Sequence, residues 1–344
     1  MSKRDLSPEE ARDYYLDEQR ADATDWTVRT YRYRLTRFVE WCEENNVTQM
    51  GDVDGWTIEQ FARERRSELA TVSMKGQMSA LKQLLEYCAR IDVVDERLPG
   101  KVEIPSVGRN EESDDTRLET EDAEALLQFY RNSQAHFGRK THALLEVFWN
   151  TGARLSGVRA LDLGDYDPEE RYLDFCHRPD TGTGLKNKDR GERPVVIPPA
   201  VCDALDTYIA RERFDKRDDA GRKPLFAGRQ GRPSDATFRA WTYRATQPCV
   251  ERRCPHGERQ ESCDYRHRDH LSKCPSARAP HHIRTGSITW QLNSGLPIEV
   301  VAERVNATPA VIERHYDKAK AKERMQERRR EYTNDLDVKL EGDS

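Results

Sequence analysis

The sequence contains no apolar run of the length that a membrane-spanning helix needs, which is about 20 residues. Its first residues, Met1 to Asp5, lead into no segment that resembles a secretory signal. Hydrophobic residues make up 36% of the chain and charged residues 35%, so a large solvated surface is expected. We therefore expect an intracellular, cytoplasmic protein without membrane contact. The length of 344 residues predicts two domains of ordinary size.

An excess of positive charge is also missing, because the formal net charge is −5. This total is a weak guide, since a basic groove can lie on an acidic protein. From Thr27 to Glu43 apolar residues recur with the helical period, and the opposite face carries arginines. That face is either an ordinary solvated surface or a surface that follows a phosphate backbone. Its arginines are Arg29, Arg32, Arg34 and Arg37.

Periodicity predicts a mainly α protein with two domains. Residues 1–100 show three strong amphipathic helices and form a compact helical domain without a catalytic cluster. Residues 101–117 follow Pro99-Gly100, contain Pro105 and become polar and acidic, which indicates a linker. A second domain spans 118–335 and includes a Cys/His-rich insert at 248–276, and a polar tail spans 336–344.

After Asp162 the sequence changes to short strand-like runs separated by turn residues. This pattern predicts a small antiparallel sheet of three strands within the helices of the second domain. The expected strands are Tyr172–Cys176, Leu185–Lys186 and a segment from Pro194 to Ile197, separated by glycine-rich or polar turns. Lys186 would then lie at a strand end, next to a tight turn.

Three short helices near the C-terminus carry polar side chains suited to phosphate chemistry. His281 and Arg284 are three residues apart and share one helix face. Asn293-Ser294-Gly295 predicts a helix end, and Thr308-Pro309 predicts a capped helix start before Tyr316. Imidazole and guanidinium groups bind phosphate, and a tyrosine hydroxyl can attack it.

Two upstream residues complete a pattern. Arg154 follows Thr151-Gly152, and Lys186 lies near the predicted sheet. Taken alone, each candidate has an ordinary interpretation. Arg154 could cap a helix, Lys186 could be a hairpin lysine, and Tyr316 could be a packed aromatic. Together they resemble the tyrosine recombinase, or phage integrase, family in an archaeal-like form. The residues that carry the resemblance are Thr151-Gly152-Ala153-Arg154-Leu155-Ser156, Lys186, Arg193-Pro194-Val195-Val196-Ile197-Pro198, His281-His282-Ile283-Arg284 and Tyr316.

The resemblance implies a DNA recombinase whose N-terminal part is a SAM-like core-binding domain. In that family two arginines, here Arg154 and Arg284, bind the phosphate, the counterpart of Lys186 protonates the leaving 5′ oxygen and a histidine, here His281, acts as base. The tyrosine, here Tyr316, forms a 3′-phosphotyrosyl bond, and neither a metal ion nor a nucleotide is needed. The absence of a P-loop and of carboxylates spaced for two metal ions agrees with this expectation.

Two positions depart from the family pattern. Gly157 stands where the family usually has a glutamate, a structural position. Asn306 stands where the family usually has a histidine or tryptophan that contacts the phosphate, so Asn306 is the candidate for that contact.

The insert at 248–276 holds half of the eight cysteines and almost no apolar residue. Such a segment cannot form a core of its own, and a bound Zn²⁺ would supply the missing folding free energy. We expect a structural zinc ion, with free thiols or disulfides as alternatives. The predicted ligands are Cys249, Cys254, Cys263 and Cys274, with His256, His267 or His270 as substitutes.

The expected function is site-specific recombination of double-stranded DNA, by a nucleoid-associated homotetramer on paired sites. One alternative is a type IB topoisomerase-like relaxase, which shares the chemistry but acts as a monomer. The other is a DNA-binding regulator of the same fold with impaired catalysis, an interpretation that the substitution at Asn306 keeps open.

Overall fold

The computed structural model describes residues 5–21, 23, 25–108, 115–317 and 324–329. The chain divides into two compact units, residues 1–114 and 115–344. No helix in the described ranges is long and apolar enough to cross a bilayer.

The described part of the first unit is a helical bundle with its own core. A capping box between Ser7 and Glu10 starts its first helix, as a serine before an acidic first turn predicts. Phe38 and Phe61 meet edge to face in the core, with ring centroids 5.2 Å apart. The helices are α1 (Pro8–Gln19), α2 (Asp25–Glu44), α3 (Gly55–Glu68) and α4 (Thr71–Arg90).

The second unit packs its helices around one that is buried on all sides. In α6 every residue from His142 to Thr151 is buried, as expected for a helix that is apolar around most of its circumference. The only charged side chain in that run, Glu146, accepts hydrogen bonds from Arg131 at 2.7 and 3.0 Å. The helices are α5 (Thr120–Asn132), α6 (Lys140–Thr151), α7 (Leu155–Ala160), α8 (Pro199–Arg211), α9 (Asp235–Ala245), α10 (Pro280–Asn293), α11 (Ile298–Val305) and α12 (Pro309–Val311).

The sheet of the second unit is antiparallel, in the order β1-β2-β3. Its strands are β1 (Tyr166–Asp167), β2 (Tyr172–Phe175) and β3 (Arg193–Val196). The mainly α fold with a small three-stranded sheet is therefore confirmed, but the prediction of a strand at Leu185–Lys186 is wrong. Lys186 lies in a turn, because the chain bends at Asn187 and Lys188, which both adopt left-handed backbone angles (φ 75° and 52°).

The C-terminal region follows the predicted helix boundaries. Helix α10 ends at Asn293, and Thr308 caps α12 by accepting a hydrogen bond from the Val311 N–H. The chain continues from α12 as a π-type turn, Ile312–Tyr316. Beyond residue 317 the structure describes only a helical segment at Arg324–Arg329, and the polar tail predicted at 336–344 lies outside the described residues.

Candidate active site

The turn between α6 and α7 places Arg154 beside the end of α11. Gly152 ends α6 with a left-handed backbone (φ 59°), and a Cβ there would lie 2.9 Å from a methyl carbon of Val305. Glycine thus allows both the turn and the close approach. Arg154 is the N-cap residue directly before α7, and its Nη1 donates to the carbonyl oxygen of Asn306 at 2.6 Å.

Arg284 is the most buried charged group of this region, with 1% exposure. Its Nη1 donates to the carbonyl oxygens of Gly152 at 2.6 Å and Val305 at 2.7 Å. Its Nε and Nη2 have no hydrogen-bond acceptor among the described residues. Burial and the nearby guanidinium groups of Arg154 and Arg193 lower the pKa of Arg284 to about 9, whereas Tyr316 acts to raise it. Buried donors without acceptors are costly, and a bound anion would satisfy them.

Tyr316 lies against this guanidinium and is 7% exposed. The Cζ atom of Arg284 is 4.8 Å from the centre of the Tyr316 ring. The exposed ring of His281 lies 5.4 Å from the same ring, measured between centroids. Thr289 holds the Tyr316 backbone by donating its hydroxyl to the carbonyl oxygen at 3.0 Å. The structure therefore brings Arg154, Arg284, His281 and Tyr316 together.

Two further arginines, which the sequence did not identify as site residues, lie beside this group. Burial, together with the positive charges of Arg154 and Arg304, lowers the pKa of Arg193 to about 10. Arg193 also lies over the Phe175 ring, with its Cζ 4.5 Å from the centroid. We call Arg154, Arg193, Arg284 and Arg304 the unpaired cluster. Within the described ranges no Asp or Glu forms an ion pair with any of these four arginines.

Lys186 and Asn306 are joined at the edge of this group. The side-chain amide of Asn306 donates to the backbone oxygen of Lys186 at 2.8 Å, and the Lys186 side chain is exposed. At Gly157, where the family's glutamate is missing, a Cβ would lie 3.3 Å from the Phe175 ring. The buried ring under Arg193 therefore takes the space beside this position.

Comparison with known proteins decides the family. Residues 116–320, more than half of the chain, match the phage integrase family, and residues 13–91 match the phage integrase N-terminal SAM-like domain. The chain belongs to the phage integrase family. The family predicted from the sequence is thus confirmed.

Two relatives of this phage integrase family member are named tyrosine recombinases, which agrees with the predicted enzyme class. Tyrosine recombinase XerC 2 of Ralstonia nicotianae is 27% identical over 214 residues, which span 60% of this chain but only 58% of that relative. Tyrosine recombinase XerD of Mycobacterium tuberculosis is 24% identical over 289 residues, 80% of this chain and 82% of the relative.

Solved structures of integrases share the fold. The Tn1549 transposon integrase in complex with a circular intermediate DNA has a TM-score of 0.61 at 17% identity, over 89% of this chain and 94% of that one. A lambda integrase tetramer bound to a Holliday junction has a TM-score of 0.60 at 12% identity, over 93% of this chain and 80% of that one.

The Cys/His-rich insert of this integrase consists of turns and short 3₁₀ helices, at Pro248–Val250, Asp264–Arg266 and Arg268–Lys273. All four of its cysteines are free thiols, and Cys249 and Cys274 are buried. Burial raises the pKa of Cys249; Arg266 lowers it, and the neighbouring thiols of Cys254, Cys274 and Cys263 raise it. No group of three or more His, Cys, Asp or Glu side chains in the described ranges is arranged to hold a metal ion. Side-chain geometry thus gives the predicted zinc site no direct support.

The three histidines of the insert contact other side chains. His256 Nε2 lies 2.9 Å from the Ser276 hydroxyl, and His270 Nδ1 lies 2.6 Å from an oxygen of Asp264. His267 packs against His270, with ring centroids 5.9 Å apart.

Proposed function

We propose that the protein cuts and rejoins double-stranded DNA at specific sites through a covalent bond between Tyr316 and a 3′ phosphate. The observation that carries this proposal is the pair of donors on buried Arg284 that lack acceptors, directly beside the Tyr316 ring. A scissile phosphate placed there would accept both hydrogen bonds and lie next to the tyrosine. The unpaired cluster would also neutralise the charge that the transition state spreads over the non-bridging oxygens.

The proposed step uses three side chains. The Tyr316 oxygen attacks phosphorus while its proton moves to the imidazole of His281. A free tyrosine hydroxyl titrates near pH 10, so the attack needs such a base. The bond from phosphorus to the 5′ oxygen breaks, and the Lys186 ammonium gives that oxygen a proton. The phosphotyrosyl bond conserves the energy of the phosphodiester, so rejoining is the reverse reaction and needs neither a metal ion nor a nucleotide.

The test is covalent capture on a pool of nicked duplexes with randomised sequence, because the nick lets the cut end diffuse away and traps the adduct. Wild-type protein should form a protein–DNA adduct that survives a denaturing gel, and Tyr316→Phe should form none. An adduct that persists in Tyr316→Phe would refute the assignment of the nucleophile. Sequencing of the captured DNA should show an enriched site.

The same experiment separates the alternatives. A regulator without catalysis predicts binding but no adduct with wild-type protein. A monomeric relaxase predicts relaxation of supercoiled plasmid that lacks the captured site, without recombinant products. Recombination between two captured sites on one plasmid supports the proposed activity.

We also propose that the active assembly is a homotetramer on paired DNA sites in the cytoplasm, associated with the nucleoid. The lambda integrase tetramer bound to a Holliday junction has the same fold, and this motivates the assignment. Mass measurement of the purified complex with two captured sites should give four chains. Two chains at saturating DNA would refute the tetramer.

The insert at 248–276 is, in our proposal, stabilised by a structural zinc ion on Cys249, Cys254, Cys263 and Cys274. One support for the proposal is that the thiols of Cys254, Cys274 and Cys263 each act to raise the pKa of Cys249. Three of the four also start a turn in which the N–H three residues later donates back to the cysteine carbonyl. These bonds are Gly257 to Cys254 (3.2 Å), Arg266 to Cys263 (3.1 Å) and Ala277 to Cys274 (3.1 Å). Such turns leave the thiols free to bind a metal.

Zinc content measured by mass spectrometry should be one equivalent per chain and should fall in the Cys254→Ser/Cys263→Ser variant. Chelation should lower the thermal midpoint of wild-type protein but not that of the variant. One equivalent retained by the variant would refute this ligand set, and wild-type protein purified without zinc that cannot bind added zinc would refute the site.

A further inference from the structure

Asn306 uses both ends of its side-chain amide inside the protein. Its Nδ2 donates to the backbone oxygen of Lys186 at 2.8 Å, and its Oδ1 accepts from the Nδ2 of Asn187 at 2.9 Å. Its own backbone oxygen accepts from Arg154. Asn306 has a left-handed backbone (φ 53°), which asparagine tolerates better than most residues. One residue therefore connects the Lys186 turn to the arginine directly before α7.

Two neighbouring features support this connection. A Cβ at Gly191 would lie 2.6 Å from both the Asn306 Nδ2 and the Lys186 oxygen, so only glycine leaves space for their hydrogen bond. Arg193 forms a second connection, because its guanidinium donates to the backbone oxygens of Gly191 at 2.8 Å and Arg304 at 2.7 Å. The turn that carries Lys186 is thus attached to the end of α11 at two points.

The turn needs such attachments. Asn187 and Lys188 are consecutive non-glycine residues with left-handed backbones, and each costs free energy that surrounding contacts must offset. Lys186 is outside the strands, so the sheet hydrogen bonds do not orient it. Within the turn the Lys188 N–H donates to the Leu185 oxygen at 3.2 Å, and the contacts of Asn306 and Arg193 attach the turn to α11.

We propose that Asn306 is a positioning residue that acts through Lys186, and not a ligand of the scissile phosphate. The inference rests on the proposed function, because it takes Lys186 as the proton donor to the leaving 5′ oxygen. It separates this chain from the family pattern, in which a histidine or tryptophan at this position contacts the phosphate. Here the amide reaches the turn instead, through the two hydrogen bonds described above.

The test compares two nicked substrates that carry the captured site and differ in one atom, the bridging 5′ oxygen or a sulfur. A thiol has a pKa of about 8.5, so a sulfur leaving group departs as thiolate without a proton donor. Asn306→Ala should slow cleavage of the oxygen substrate by about 10²-fold, because a displaced acid loses much of its effect. It should cleave the sulfur substrate at close to the wild-type rate.

Matched variants calibrate the result. Lys186→Ala should show the same selective defect, and Arg284→Ala should be slow on both substrates, because it binds the phosphate itself. Asn187→Gly removes one partner of Asn306 and suits a left-handed backbone, so it should show a weaker defect of the same selectivity. For each variant, the ratio of the cleavage rates on the oxygen and sulfur substrates does not depend on the fraction of protein that is folded. A variant of lower stability can therefore still be compared with wild type.

The outcomes are distinct. Equal slowing of both substrates by Asn306→Ala, together with an unaffected Asn187→Gly, would make Asn306 a phosphate ligand and overturn the inference. Wild-type protein that forms no adduct with either substrate would instead overturn the proposed function itself.

Discussion

Two groups of arginines in the second unit differ in what surrounds them. In the paired cluster, defined as Arg178, Arg222 and Arg232 with Asp162, Asp165 and Asp218, each guanidinium meets a carboxylate. In the unpaired cluster the described contacts are with backbone oxygens, the amide oxygen of Gln291 and the rings of Phe175 and Tyr316. Each group contains both partly and fully buried arginine side chains, so burial alone does not distinguish the two.

The electrostatic consequences differ. In the paired cluster, hydrogen bonds to Asp165 raise the pKa of Arg178. Two carboxylates of the same cluster act against the burial that lowers the pKa of Arg222. Among the described residues no carboxylate acts against the burial that lowers the pKa of Arg284. An ion pair supplies its own counter-charge, and removal of one partner mainly harms folding. A group of buried cations without carboxylates gains most when an anion arrives, so it is suited to bind a phosphate. The comparison can be tested by one change in each cluster.

The largest expected effect is on cleavage, for Arg284→Ala. The variant removes the donors that we assign to the phosphate, and loss of such a group costs about 3–4 kcal/mol of barrier, or about 10²–10³-fold in rate. The adduct-formation rate on the captured site measures it. The variant also removes an uncompensated buried charge, so its thermal midpoint should stay within a few degrees of wild type. A fully active variant would place the phosphate elsewhere.

Arg232→Ala should have the opposite profile. The side chain of Arg232 is 4% exposed and pairs with Asp162 and Asp218. Its Nε lies 2.8 Å from an oxygen of Asp218. Its removal leaves both carboxylates without that partner and should cost about 3 kcal/mol of unfolding free energy. Denaturant titration measures the loss. Protein that remains folded should cleave at the wild-type rate, and a selective catalytic defect at unchanged stability would remove the distinction between the clusters.

A smaller effect is expected from an anion alone. Sulfate should raise the thermal midpoint by about 2–4 °C over chloride at matched ionic strength and pH 7.5, because it relieves the repulsion in the unpaired cluster. The pKa of Arg284 is about 9, below its unfolded value, so the charged form is disfavoured in the fold. The positive charge on Arg284 therefore lowers the free energy of unfolding below about pH 9. This destabilisation decreases as the pH rises above that value.

The gain from sulfate should therefore shrink between pH 8 and pH 10. Arg284→Ala should show little of the gain at any pH, and Arg232→Lys, which keeps a positive charge in the other cluster, should show all of it. A sulfate effect that is equal in Arg284→Ala and wild type would place the anion outside the unpaired cluster.

The helices were predictable because their signals are local. The amphipathic period of α2 and α4, the glycine at Gly152 and the Thr308-Pro309 cap each lie within a few residues of the feature they specify. The strands were less predictable. A short β1 at Tyr166–Asp167 was missed, and a strand was expected at Lys186 where the chain turns instead. Segments of two to four residues carry too little periodicity to separate a strand from a turn.

The sequence by itself determined which side chains are available and on which short helix each one lies. It identified Arg154, Lys186, His281, Arg284 and Tyr316 as candidates through their resemblance to the tyrosine recombinase family, which the order and type of these residues carry. Only the tertiary structure decided which arginines meet a carboxylate and which do not, and where the amide of Asn306 reaches. Those contacts join residues on different elements, from 13 positions apart for Arg178 and Asp165 to 132 for Arg284 and Gly152. Pairing, burial and the resulting pKa depend on such distant contacts, and no local pattern encodes them.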